Sequence, residues 1–443
     1  MSLAELPPAL RNVGAGKRRW VLITVLWTNF GVWLDSAKTS LLTPYWAGDL
    51  GLDAAQIADV SSAYLLGYFP TLFVAGFLAD RIGPKKMLII CLTGVTVMGF
   101  TMAAVQTYNE MYVRNLIFGI FFGFLWAPCQ RMLAVWFPVF DTPRVTALWV
   151  GSQMITAIVA PLIALPIAIN IDWRWSFVVI SLIGLPALFL LIFKTSDVPS
   201  RLKGISQAEV ELINFGRSEE AQAKLPTREI LAFFKRPSII AMCIAAGLAT
   251  TPTWLIGTWS SYGVITLGGV DGNMFTYVAP LASLIPVAYT FLHGKAVNTI
   301  FKGRLKPPML LGVGIAALGY LLAAVLDVPW FLWLLFISAF GFMSNPLFWG
   351  SLNTYWVRAA RPEATGTLNG IAAGLQVAFG YVLVKVSAEW LDPNKQGLGQ
   401  ISTIWLVGAA VFAAAAIPVL FVKEPKSDGK DLPTGPAAGA AVH

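Results

Sequence analysis

The chain has 443 residues, 57% of them hydrophobic and only 12% charged, with a mean hydropathy of +0.69. This lies well above the usage of soluble domains and predicts an all-α membrane protein. The formal net charge of +8 comes from lysines and arginines that punctuate long apolar runs; they do not gather on one folded basic face, which excludes a nucleic-acid binder.

Crossing the hydrocarbon core of a bilayer takes about 20 apolar residues. Twelve such runs follow a short segment, 1–18: 19–44, 56–79, 86–106, 111–137, 144–169, 174–194, 238–266, 273–297, 307–327, 330–357, 364–390 and 400–422. The first, from Trp20, is too long for a signal peptide and has no small-residue cleavage site behind it, so it reads as a span. Between the sixth and seventh lies the long polar segment 195–237, whose "ISQAEVELINFGRSEE" predicts a short amphipathic helix in a linker. The stretch 423–443 is polar, rich in Gly, Pro and Ala, and expected to be a disordered tail. This predicts two pseudo-symmetric six-helix bundles, 19–194 and 238–422, joined by the linker. "GKAVNTIFKGRLK" follows the eighth span much as "GFLADRIGPKK" follows the second, with Asn298 where the first copy has Asp80.

Placing the amino terminus inside puts nearly every Lys and Arg in cytoplasmic loops, ends or tails. Lys38, Arg114, Arg174, Lys385 and Lys395 are the exceptions. Both termini and the linker are therefore expected to be cytoplasmic, in a bacterial inner membrane. Arg81, Lys85 and Lys86 would stop the second span at that face, with Gly83-Pro84 making the turn.

"GFLADRIGPKK" resembles the signature loop between the second and third helices of the major facilitator superfamily. The match is carried by Gly76, Leu78, Asp80, Arg81, Gly83, Lys85 and Lys86, with Pro84 where a basic residue is usual. The resemblance implies a gate: Gly76, Asp80, Arg81 and Gly83 would help hold the bundles together on the cytoplasmic side in one state. "LGLDAAQIADVSSAYLLGY", "RNLIFGIFFGFLWAPCQRMLAVWFP", "DWRWSFVVISLIG", "RLKGISQAEVELI" and "WGSLNTYWVRAARPEATGTLNGIAAG" are similar to the anion:cation symporter branch, which includes galactonate, hexuronate and phthalate transporters. That branch implies uptake of an organic anion with a coupling cation. Trp126 to Arg131 also resemble a pattern of the organophosphate exchangers.

An ionisable side chain inside a span costs about 2.5–3.5 kcal/mol, so each one is a functional candidate. Asp35 and Lys38 lie midway along the first span, three residues apart on one helical face. They form either a structural pair or a working one, in which Lys38 attracts the anion and Asp35 takes up the coupling proton. Arg114 opens the fourth span; it either snorkels to the interface or, as the resemblance implies, reaches toward the first-helix acid. Lys385 and Glu389, four apart, are expected to form a solvated pair. The chain departs from its branch at Ser36, where an arginine is usual, and at Phe122, where many members carry a carboxylate.

Trp254 and Trp259 in the seventh span and Trp349 in the tenth lie deeper than an interfacial belt. They are either packing bulk or walls of a substrate site. The resemblance adds Tyr68, Gln153, Trp349 and Asn369 as cavity-facing positions. Pro161, Pro166, Pro186 and Pro346 are expected to interrupt their helices. Cys91, Cys129 and Cys243 lie in apolar segments at no metal-ligand spacing, and phosphate-cradling loops, metal-spaced His/Cys sets and nucleophile elbows are lacking, so neither an enzyme nor a cofactor is expected. The expected function is alternating-access uptake of a small organic anion by proton symport, by a monomer in the lipid bilayer. Organophosphate/phosphate exchange and a membrane receptor on the same scaffold are the alternatives.

Overall fold

A segment in hydrocarbon has to satisfy its own backbone hydrogen bonds, which an α-helix does within itself. The computed structural model describes residues 10, 13–14, 16–138, 141–215, 236–359 and 365–424, and is helical with no strand among them. Twelve long helices follow in order. The first six are α1 Gly16–Leu41, α2 Ala54–Ile82, α3 Pro84–Met102, α4 Tyr108–Trp136, α5 Arg144–Asn170 and α6 Trp173–Lys194. The second six are α7 Pro237–Leu267, α8 Gly272–Thr299, α9 Lys306–Val325, α10 Trp330–Trp356, α11 Thr365–Ser387 and α12 Ser402–Phe421. Eleven are long and apolar enough to cross a membrane. The exception is α1, which buries Thr24, Thr28, Asn29, Asp35 and Lys38 and owes its place to packing on α6, α5 and α3. A linker helix, Gln207–Asn214, stands where the amphipathic segment is expected; residues 216–235 and the tail from 425 lie outside the described part.

Helix starts follow local chemistry. Asp53 and Gln56 cap α2 reciprocally, and Thr107, Asp172 and Asp271 accept the first free amides of α4, α6 and α8. The two sets of six repeat one packing scheme: α1 on α6, α3 on α6 and α4, and α2 on α4 are matched by α7 on α12, α9 on α12 and α10, and α8 on α10. The halves meet along α2 with α11, α5 with α8, and α1 with α7. Phe193, Val325 and Phe421 are among the large apolar side chains left exposed on the outside, as lipid-facing positions should be.

The end at which α2 stops and α3 starts is here called the basic end. There the sequence repeat acquires a physical basis. Lys85 Nζ donates to the Ile192 and Thr195 carbonyls at 2.8 and 2.9 Å, at the end of α6, while the Asp197 carboxylate accepts the Lys85 amide at 2.7 Å. In the second half, Lys306 Nζ donates to Leu420 and Val422 carbonyls at 2.9 and 2.8 Å, and Glu424 accepts the Leu305 amide. Each lysine satisfies carbonyls that its neighbouring helix leaves free at its C-terminus. Arg81 lies over the Phe77 ring, 5.1 Å from its centre. The side chains of Asp80 and Asn298 are outside those described.

Pro346 sits in an irregular stretch of its helix, as expected, whereas Pro161, Pro166 and Pro186 do not interrupt theirs. α6 runs unbroken through Pro186, and Pro161 and Pro166 sit inside the continuous segment Thr156–Asn170. The turn that separates this segment from the first part of α5 falls at Ile155, which has no special residue. α4 is loosened at Gly123–Leu125, and α10 contains two wide π turns, Leu335–Phe340 and Asn345–Trp349, the second holding Pro346. Packed neighbours keep a proline-bearing helix going once the one lost hydrogen bond is absorbed.

Gly83 adopts φ +93°, and a Cβ there would meet the Asp197 carboxylate, whereas a Cβ on Gly76 would meet nothing. Gly83→Ala is therefore expected to lower stability by roughly 1–3 kcal/mol, and Gly76→Ala to leave it nearly unchanged. Thermal unfolding midpoints of the purified variants in one detergent check this contrast.

Candidate functional site

A cavity of about 50 Å³ lies between the halves. α1 lends it Ser36, Thr39 and Ser40, which follow one another at the i, i+3, i+4 spacing of a helix face. α2 and α4 supply Ser61, Tyr64 and Asn115; α7 closes it with Trp254, Gly257 and Thr258. None of the residues lining it is charged. Thr39 Oγ1 and Trp254 Nε1 are buried without a hydrogen-bond partner, so the cavity presents polar atoms from both halves that a bound solute could satisfy.

Tyr64 spans the boundary, its ring centre 5.9 Å from that of Trp254. Behind it Phe122 forms a hub, with Trp33, Tyr68 and Tyr64 ring centres at 5.0, 5.1 and 5.3 Å, each nearly edge-on. The aromatic at the place of the branch's usual carboxylate thus organises an apolar floor. Tyr68, expected in the cavity, packs into that floor and does not line it.

Asp35 and Lys38 sit on a different face of α1 from Ser36, Thr39 and Ser40. Lys38 is 0% and Asp35 2% exposed, enclosed by α3 and α6. Lys38 Nζ donates to Asp35 Oδ1, to Ser181 Oγ at 2.6 Å and to the Phe177 carbonyl at 3.2 Å, and lies 4.9 Å from the Phe177 ring centre. Ser181 Oγ stands 3.0 Å from Asp35 Oδ1. The expectation that Lys38 faces the solute is corrected: its hydrogen-bonding capacity is used inside the amino-terminal half. Arg114 likewise does not contact Asp35. Its guanidinium donates to the Thr101 carbonyl in the last turn of α3 and to Glu110 Oε2, at 3.1 Å in the latter case.

The remaining expected residues are scattered. Trp259 is buried in the carboxy-terminal half and donates to Ser387 Oγ at 2.8 Å. Trp349 ties α10 to α7 by donating to Thr250 Oγ1 at 3.1 Å, and Asn369 Nδ2 ties α11 to α10 through Asn353 Oδ1 at 2.7 Å. Gln153 is buried in α5 with Oε1 unpartnered, outside the cavity lining. Of the expected binding residues, only Trp254 lines the cavity. Lys385 does not pair with Glu389; it reaches Asp59 of α2, in the other half. Sequence reading missed Ser36, Thr39, Ser40, Asn115 and Thr258, although the hydroxyl spacing in "DSAKTS" offered a signal for the first three.

Residues 25–384 match the Major Facilitator Superfamily family profile. The chain belongs to this superfamily. It is 23% identical to a probable sulfoacetate transporter of Cupriavidus necator over 68% of this chain and 70% of that one. A hexuronate transporter of Bacillus subtilis is 30% identical, over about a third of each protein, 34% of this one and 36% of the other. In fold the chain resembles a crystal structure titled as a D-xylose–proton symporter, with TM-score 0.71 at 16% identity over 94% and 98% of the two chains. The protein is a multi-pass membrane transporter of this superfamily and not an enzyme.

One indole donor in contact with a solute contributes about 0.5–1.5 kcal/mol. Trp254→Phe, which keeps a ring and deletes the donor, should raise the half-saturating concentration of the transported solute about 2- to 10-fold. Trp259→Phe, which loses only an internal bond to Ser387, should leave it unchanged; concentration-dependent uptake by proteoliposomes distinguishes the two.

Proposed function

We propose that the protein takes up a small organic anion by alternating access, with the proton as coupling ion. The observation that carries the transport reading is the cavity, built from polar atoms of both halves, so that a solute held there contacts two bodies able to rock against each other. The anion reading is supported by similarity to proteins named as sulfoacetate and hexuronate transporters. In this reading the Ser36 and Thr39 hydroxyls, the Trp254 indole and the second amide hydrogen of Asn115, whose first goes to the Val60 carbonyl at 2.6 Å, meet the anion's oxygens, and Tyr64 closes over it. Both termini face the cytoplasm, 19–194 and 238–422 are the moving halves, and the chain works as a monomer in the inner membrane. Gly76, Asp80, Arg81 and Gly83 belong to the cytoplasmic-side gate.

Asp35 is the proposed coupling acid. Lys38 has other partners in Ser181 and the Phe177 carbonyl, so proton uptake by Asp35 does not leave the ammonium bare. Because Asp35 shares α1 with three cavity residues, its protonation and the occupancy of the cavity act on one helix. Exchange of one anion for another is the second reading, favoured by the lack of any carboxylate among the lining residues.

Uptake of labelled sulfoacetate and glucuronate into proteoliposomes, with and without an inward proton gradient, tests the proposal. Gradient-driven accumulation is the expected result. Equal uptake without a gradient, seen only in anion-preloaded vesicles, would establish exchange instead. Asp35→Asn should abolish accumulation and keep counterflow; unchanged accumulation would remove Asp35 from the coupling step.

A further inference from the structure

The far end of the bundle, opposite the basic end, is where the halves are pinned. Asp59 on α2 and Lys385 on α11, 326 residues apart, form an ion pair, and the Tyr108 hydroxyl donates to the other oxygen of Asp59 at 3.0 Å. Of the ion pairs between described residues, this is the one that joins the amino-terminal to the carboxy-terminal half. Ser261 Oγ adds a neutral bond at the same end by donating to the Ser40 carbonyl at 2.8 Å. The pair lies within one helical turn of the cavity along both helices: Ser61, two residues after Asp59, and Val384, the residue before Lys385, line it.

Three features make this pair unlike the buried charges elsewhere. The Lys385 and Asp59 side chains keep 43% and 25% of their surface exposed, so water reaches both. The other far-end cations are occupied within one half: Arg174 by Asp49 at 2.8 Å, Arg114 by Glu110 and the Thr101 carbonyl, and Lys395 by Ser402. The cavity itself holds no charge. A partly hydrated pair adds little net stability, so a second carboxylate can replace the first on the lysine at small cost. Asp59, once displaced, still accepts from Tyr108.

We propose that Lys385 is the anion-recruiting residue within one helical turn of the cavity and that Asp59 occupies it as an internal substitute, so that an arriving carboxylate or sulfonate displaces Asp59 and unpins the two halves. This rests on the anion reading above and deepens it. The uncharged cavity then receives a solute whose charge has been met at Lys385, and the far end opens in response to the solute it admits. When the anion leaves Lys385 for the cavity or for bulk water, Asp59 returns and the end closes.

The test uses the full chain in lipid vesicles, with Ser61→Cys as reporter and a membrane-impermeant maleimide applied to the far end; the native Cys91, Cys129 and Cys243 are buried. Lys385→Gln and Asp59→Asn should each speed labelling by about 5-fold, and Asp59→Lys with Lys385→Asp should return it to the parent rate. Sulfoacetate, glucuronate or inorganic phosphate should accelerate labelling in the parent and not in Lys385→Gln. Equal labelling of Lys385→Gln and the parent overturns the proposal, as does acceleration that persists without Lys385 or fails with all three anions. Failure of the anion reading appears separately, as absence of anion uptake by the parent, and leaves the effect of the charge substitutions on labelling standing.

Discussion

A lysine wholly enclosed in a bundle whose outside faces hydrocarbon has to bring partners with it, and Lys38 takes Asp35, Ser181 and the Phe177 carbonyl. That demand orients α1. With Asp35 and Lys38 turned toward α3 and α6, the face carrying Ser36, Thr39 and Ser40 is left for the boundary between the halves. The same constraint removes Arg114 and Arg174 from the interior by giving each a partner at the far end. What faces the cavity is therefore neutral: hydroxyls, the Asn115 amide, the Tyr64 ring and the Trp254 indole.

At the described polar contacts, helices are held more firmly within each half than the halves are held to each other at the far end. Lys85 with Asp197, and Lys306 with Glu424, fix matching helix ends within each half through several charged hydrogen bonds. Between the halves at the far end, the described polar links are one partly hydrated ion pair and one hydroxyl-to-carbonyl bond. Strong ties inside each half and weak ones between them are what rigid-body rocking requires. Irregular turns in α7 and α10 lie on the carboxy-terminal side, where Trp259, Trp349 and Asn369 spend their donors on neighbouring helices.

Much of this was legible in sequence because hydrocarbon imposes a simple rule on length and apolarity, and the twelve runs and the repeat after the second and eighth spans follow from it. Side-chain direction was not. Asp35 and Ser36 are adjacent, but one step along a helix turns a side chain by about 100°, which separates the buried pair from the cavity face. Lys385 has an acid four residues along at Glu389, the neighbour that helical spacing selects, but its partner is Asp59, which only the docking of α11 on α2 brings near. Proline content pointed to breaks at 161, 166 and 186 that packing prevents, while the turn at Ile155 has no compositional mark. Trp254 and Trp259 look alike in sequence; one lines the cavity and the other binds Ser387.

The central claim is that two stiff halves expose one uncharged cavity to each side in turn. Distances between paired spin labels measure this most directly, with Ala55 and Glu389 replaced at the far end and Arg144 and Thr299 at the basic end, all exposed positions. The account predicts two populations in lipid, in which lengthening at one end accompanies shortening at the other. A population long at both ends at once, or a single fixed distance at each end whatever anion and proton gradient are supplied, would contradict it.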